Sequence, residues 1–154
     1  MNDLDMRACQ ACNDCLRTGE CVLEDDMSPL YALLERADAI VIACPIYFSG
    51  LTAQTKMMID RCQCLWARGE NLGRPVGGGK KRKGAFISVG GDEKSVFRNA
   101  VGEVKAFYCA INVSYCEELL VSGVEKKGAI GERPATLKEA FELGKRIVSD
   151  SRPS

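Results

Sequence analysis

The chain has 154 residues, 46% hydrophobic and 27% charged, which is the make-up of one ordinary globular domain and not of a disordered segment. Lys+Arg and Asp+Glu balance at 21 each, so no overall field favours nucleic acid or a membrane surface. Histidine is absent, which removes His–metal sites and every mechanism that needs a histidine base.

The N-terminal stretch MNDLDMRACQ has no apolar h-region, and no apolar run reaches the roughly 18 residues that would span a bilayer. A cytoplasmic protein is expected. Nine cysteines is a high and odd number, which argues against a disulfide framework. Four of them, Cys9, Cys12, Cys15 and Cys21, stand in the pattern C-x2-C-x2-C-x5-C, and Gly19 lets the backbone reverse so that Cys21 returns to the others. Iron–sulfur clusters take four thiolates from such a tight loop, whose N–H groups also point at the sulfides. Zinc accepts four cysteines too, but usually as two C-x2-C knuckles set further apart. The spacing therefore fits a cubane cluster best, with zinc and a metal-free, redox-active or vestigial set as alternatives. No second four-cysteine group exists, so one cluster per chain is predicted. Cys44, Cys62, Cys64, Cys109 and Cys116 lie in apolar or helical segments and are read as packing residues.

Next along the chain, Ser28-Pro29 reads as an N-cap and first-turn pair opening a helix that ends near Ala37-Asp38. Ala39 to Cys44 is a continuous apolar strand stopped by Pro45. Thr52 to Leu65 carries Met57, Met58, Ile59, Cys62 and Leu65 at helical spacing. The stretch 70–83, rich in Gly, Pro and basic residues, reads as an inserted loop, with Lys80 to Lys83 solvated. Within it, Gly73 to Lys80 approaches a P-loop, but the spacing is wrong and no Ser/Thr follows Lys80. Gly84 to Val89 is a second strand, closed by Gly90-Gly91. Ser95 to Ala110 is a helix, Val113 to Val121 a third strand, and Thr136 caps a last helix with Leu137, Ala140, Phe141, Leu143 and Ile147 on one face.

Continuous apolar strands alternating with helices predict an α/β fold, a doubly wound parallel sheet in a three-layer αβα sandwich, as a single domain over 1–154. Such a sheet binds its ligand beyond the carboxyl ends of its strands. Those ends carry Pro45, Ile46, Tyr47, Phe48, Ser49 and Gly50, then Gly90, Gly91 and Asp92. Tyr47 and Phe48 offer flat apolar faces to an aromatic ring, and the glycines let backbone N–H groups come close.

The cysteine motif followed by Asp25-Asp26-Met27 resembles the iron–sulfur flavoproteins, a flavodoxin-like branch of the NAD(P)H-dependent FMN reductase superfamily. So do Cys44 to Gly50, Thr52 to Lys56, Ile59-Asp60-Arg61, Leu65 to Arg68, Lys83 to Gly91 and Leu137 to Arg146. The resemblance implies a homo-oligomer, dimer or tetramer, with FMN bordered by Pro45–Gly50 and Gly90–Asp92. It also implies a [4Fe–4S] cluster on Cys9, Cys12, Cys15 and Cys21, within a cluster-binding segment over 1–27. Electrons would come from a ferredoxin-like or NAD(P)H donor, with no side chain acting as acid or base. Two alternatives accompany this reading: an NAD(P)H-dependent FMN or quinone reductase with structural cysteines, and a non-catalytic metal-binding or interaction fragment. By the same resemblance, the first strand and the FMN-phosphate loop that precede the cysteine segment in the family are expected to be missing. The strand at Ala39 would then have an unpaired edge.

Overall fold

The computed structural model describes residues 3–149. The three apolar runs form parallel strands β1 (Ala39–Tyr47), β3 (Arg82–Val89) and β4 (Val113–Val121). A short strand β2 (Gly50–Leu51) folds back antiparallel on the end of β1, giving the sheet order β2-β1-β3-β4. The helices are α1 (Cys15–Thr18), α2 (Ser28–Arg36), α3 (Ala53–Arg61), α4 (Gln63–Leu72), α5 (Arg98–Ala110) and α6 (Pro134–Ser149). The expected flavodoxin-like α/β class is what the chain adopts.

The main core lies on one sheet face, where Met58, Cys64, Leu65, Val104, Phe107 and Tyr108 from α3, α4 and α5 pack on Ile42, Cys44 and Phe86. Helix α6 covers the other face with Leu143 and Ile147 against Ala85 and Leu119. Among the described residues the outer side of β1 pairs with a strand only at Ile46 and Tyr47, leaving its remaining length as a free edge. Along it runs an apolar groove lined by Leu30, Leu34, Ile40, Ile42 and Met58. β1 also continues through Pro45, where a stop was expected; β1 is the edge of the parallel sheet, and an edge strand tolerates a missing N–H.

Several local expectations are corrected. The helix expected over Thr52 to Leu65 divides at Cys62 (φ −75°, ψ 4°), and the bend turns Cys64, Leu65 and Ala67 into the core. Ser28 is inside α2 without a side-chain cap, and buried Met27 holds the N-cap position. Helix α5 starts at Arg98 because Ser95 is engaged in a turn, its N–H donating to the Asp92 carbonyl at 3.0 Å. Thr136 lies inside α6, which starts at Pro134. The expected solvated run Lys80–Lys83 splits in two: Arg82 opens β3 and is 3% exposed. Its guanidinium donates to the carbonyls of Leu34, Glu35 and Ala37 at the end of α2, and of Ile111 after α5. These are carbonyls that a helix C-terminus leaves unmatched. Cys109 and Cys116 are exposed, so neither packs in the core; Cys116 falls at the register shift where Gly84 pairs Tyr115 but Ala85 pairs Glu117. Among the described residues, no helix is long and apolar enough to cross a membrane.

Candidate functional site

The segment that carries the cysteine motif packs on the core through Met6, Cys15, Cys21 and Met27, and one buried side chain gathers its two ends. Asp25 follows the motif, and its carboxylate accepts from the N–H groups of Arg7 (3.0 Å) and Met27 (3.0 Å). Arg61, the last residue of α3, reaches into this turn: Nη1 donates to Asp25 Oδ2 at 2.6 Å and Nη2 to Oδ1 at 3.2 Å. The same guanidinium donates to the carbonyl of Arg7 (2.8 Å) before the motif and of Leu23 (3.2 Å) after it. Both ends of the cysteine loop therefore meet at one planar fork, a geometry lysine does not supply. The Arg61 hydrogen bonds, followed by those of the two N–H groups, hold the Asp25 carboxyl down at about 2 against burial, which pushes the other way.

Between those ends the loop runs through residues with left-handed backbone, Ala11 (φ 52°) and Asn13 (φ 65°). Left-handed Asn13 is followed by right-handed Asp14, from which the chain enters its next helical turn. One helical turn, α1, then closes on Gly19 (φ 76°), whose N–H donates to the Cys15 carbonyl at 2.9 Å. This is the reversal expected of Gly19, and it admits no side chain: a Cβ there would lie 2.9 Å from Arg68 Cγ.

Cys9, Cys12, Cys15 and Cys21 all line one small cavity, together with Arg61 and Cys64. Cys9 and Cys12 are exposed, while Cys15 and Cys21 are half-buried. The Cys15 thiol is pushed up by burial, then by the charges that Cys12, Cys9 and Cys21 would carry as thiolates. Among the described residues no three cysteine, aspartate or glutamate side chains converge as the ligands of one metal ion. Cys64, read from the sequence as packing, is buried but also belongs to the cavity wall; its thiol is pushed up to about 11, mainly by burial. It donates to the Arg61 carbonyl at 3.5 Å, beside the Tyr31 hydroxyl, which donates there at 3.1 Å.

A second, larger cleft lies beyond the carboxyl ends of β1, β3 and β4. Of the expected ligand residues, Pro45, Ile46, Tyr47 and Gly91 line it. Gly90 is buried behind Gly91, where a Cβ would lie 2.2 Å from Ser95 Oγ. Asp92 turns the loop, its carboxylate accepting from Lys94 N–H at 2.7 Å. Phe48 and Ser49 form the tip of the β1–β2 hairpin that ends at Gly50, with φ of 50° and 62°. Two-residue hairpins need such angles, but a bulky residue adopts them at a cost. Phe48 is nonetheless fully exposed and Tyr47 is 61% exposed, so neither ring repays that cost by packing. Phe48→Gly is expected to raise stability by about 1 kcal/mol in urea unfolding while weakening any aromatic ligand of the cleft. Sequence reasoning did not find the opposite wall, Val124 to Gly128, though it follows the third strand's end at Ser122-Gly123 and so carried the same topological signal.

The chain matches the model of the NADPH-dependent FMN reductase family over residues 2–122. It is 40% identical over 100 residues to an iron-sulfur flavoprotein of Archaeoglobus fulgidus, covering 65% of this chain and 48% of that one. With an iron-sulfur flavoprotein of Methanosarcina thermophila it shares 36% identity over 148 residues, 96% of this chain and 69% of the relative. The chain thus spans about half the length of the first relative and rather more of the second. Among solved structures, a flavone reductase superposes with a TM-score of 0.73 at 19% identity, over 97% of this chain and 50% of that one. The Trp repressor binding protein from Bacillus subtilis does so with a TM-score of 0.55 at 19% identity, over 74% and 68%. The sheet order, the cleft at the strand ends and the match across residues 2–122 agree, and the chain belongs to the NADPH-dependent FMN reductase family of oxidoreductases.

Proposed function

We propose that the chain is the electron-transfer part of a redox flavoprotein, with FMN in the cleft at the strand ends and a [4Fe–4S] cluster on Cys9, Cys12, Cys15 and Cys21. The observation that carries the reading is the cavity lined by all four cysteines of the motif and by Arg61, whose side chain is buried. The two relatives named as iron-sulfur flavoproteins lend the reading further support. Four thiolates also bring negative charge, and Arg61 answers it with a cation. When bound, the two groups would supply one- and two-electron chemistry; the protein positions and shields them. Tyr47, with exposed Phe48 next to it at the hairpin tip, would face the flavin ring, Gly91 would admit it close to backbone, and Lys126 and Lys127 would offer charge at the cleft's far wall. A ferredoxin-like or NAD(P)H donor and a homo-oligomeric assembly complete the proposal.

Iron, sulfide and flavin content per chain of anaerobically prepared protein tests this. Iron and sulfide in equal amounts with FMN are expected, and Cys12→Ala with Cys15→Ala should remove more than about nine-tenths of the iron by taking away half the ligands. Zinc without flavin would overturn the reading in favour of a metal-binding module. The family match favours one second reading, an NADPH-dependent flavin or quinone reductase whose cysteines are structural. NADPH oxidation that survives the double cysteine substitution would select it.

A further inference from the structure

Arg61 has five N–H donors. Four are matched: two at Nη1, by Asp25 and the Arg7 carbonyl, and two at Nη2, by Asp25 and the Leu23 carbonyl. The fifth, at Nε, is buried and has no partner among the described residues. The side chain is 0% exposed, shut off from bulk solvent. A buried donor left unmatched is a cost that folds seldom retain without use. The residue forms part of the same wall as Cys9, Cys12, Cys15 and Cys21. Burial works against its basicity, while Asp25 and, more weakly, Tyr31 and Cys21 raise it, so the charge persists in the core.

We propose that Arg61 is the positioning and potential-setting residue of the cysteine site: its fork fixes both ends of the ligand loop, and its charge, with the free Nε–H, favours the reduced state of an anionic iron–sulfur group held there. This rests on the cluster reading above. The physics gives opposite signs for the two members of the ion pair. Reduction adds negative charge to a group already carrying four thiolates, and a nearby buried cation stabilises that added charge. Asp25 opposes it from the other side of the same pair. Removing the Arg61 charge therefore lowers the reduction potential, and removing the Asp25 charge raises it. A clamp that merely held the loop would not reverse sign between its two partners.

The test is the reduction potential, by spectroelectrochemical titration, of anaerobically reconstituted wild type, Arg61→Gln, Arg61→Lys and Asp25→Asn. Arg61→Gln is expected to shift to more negative potential and Asp25→Asn to more positive. Arg61→Lys keeps the charge but not the fork, so its potential should stay near wild type while iron per chain falls. In the apoproteins, thiol labelling with a disulfide reagent should be faster for Arg61→Gln and Arg61→Lys alike, because both free the ends of the loop. Shifts of the same sign for Arg61→Gln and Asp25→Asn, or no shift in a loaded protein, overturn the inference and leave the cluster reading standing. Wild type that takes up neither iron nor sulfide overturns both. Should Arg61→Gln not fold, Asp25→Asn decides alone: an upward shift supports the inference, and a downward or absent shift overturns it.

Discussion

Arg61→Met is expected to lower stability by about 3–5 kcal/mol, because removing one partner of a buried ion pair strands the other. Asp25, with a side chain only 6% exposed, would lose its strongest neighbour, and the carbonyls of Arg7 and Leu23 would lose their donors. Methionine fills the space but answers none of these groups. Urea unfolding measures the loss, and a change below about 1 kcal/mol would show that the turn finds other partners. The same pair sets an acid limit. The Asp25 carboxyl sits at about 2 in the folded chain against an ordinary 3.8. Its folded value is depressed, so its contribution is complete above the ordinary value and disappears as pH falls through the folded one. Thermal unfolding followed from pH 5 downwards should therefore steepen between about 4 and about 2, and Asp25→Asn should flatten that part of the curve while starting from lower stability.

Gly84→Ala should cost about 3 kcal/mol, at the upper end of what one methyl group does to a close-packed core. Its Cβ would lie 2.4 Å from Cε2 of Tyr108 and 2.7 Å from Cγ1 of Val113, both buried. The ring cannot retreat freely. The Tyr108 hydroxyl accepts from Ile42 N–H (3.2 Å), and its proton serves the carbonyl of Ala85 (2.7 Å) or Ile40 (2.9 Å). It bridges β1 and β3, the two strands whose ends carry Pro45–Tyr47 and Gly90–Gly91. The substitution is thus expected to loosen the cleft as well as the core, which flavin titration beside urea unfolding would register. A cost under about 0.5 kcal/mol would mean that the ring shifts without breaking the bridge.

Two of the three parallel strands were legible as apolar runs, Ala39 to Cys44 and Ala85 to Val89, and the third, with Glu117 and Glu118 inside it, from its apolar ends at Val113 and Leu119 to Val121. The reversal at Gly19 was legible because it is local. What escaped was settled by partners distant in sequence. Arg61 looks like the charged end of an amphipathic helix until Asp25, 36 residues earlier, is brought against it. Arg82 sits in a basic run, and nothing nearby shows that two helix ends will present their carbonyls to it. Cys64 and Cys109 both stand among helical residues, yet the bend at Cys62 turns one inward and the direction of α5 leaves the other in solvent. The wall from Val124 to Gly128 lacks hydrophobic periodicity, so only topology could have pointed to it.

Helix α3 adds a fixed interval. Thr52 at its entrance adjoins Cys44, Pro45 and Tyr47, while Arg61 at its exit stands in the wall of the cysteine cavity. Nine helical residues rise roughly 13 Å. The spacing between the start of α3, beside Pro45 and Tyr47, and the cysteine cavity is therefore metered by main-chain hydrogen bonds, which no side-chain substitution at either end rewrites. Side chains at either end can be exchanged while the ruler between them keeps its length.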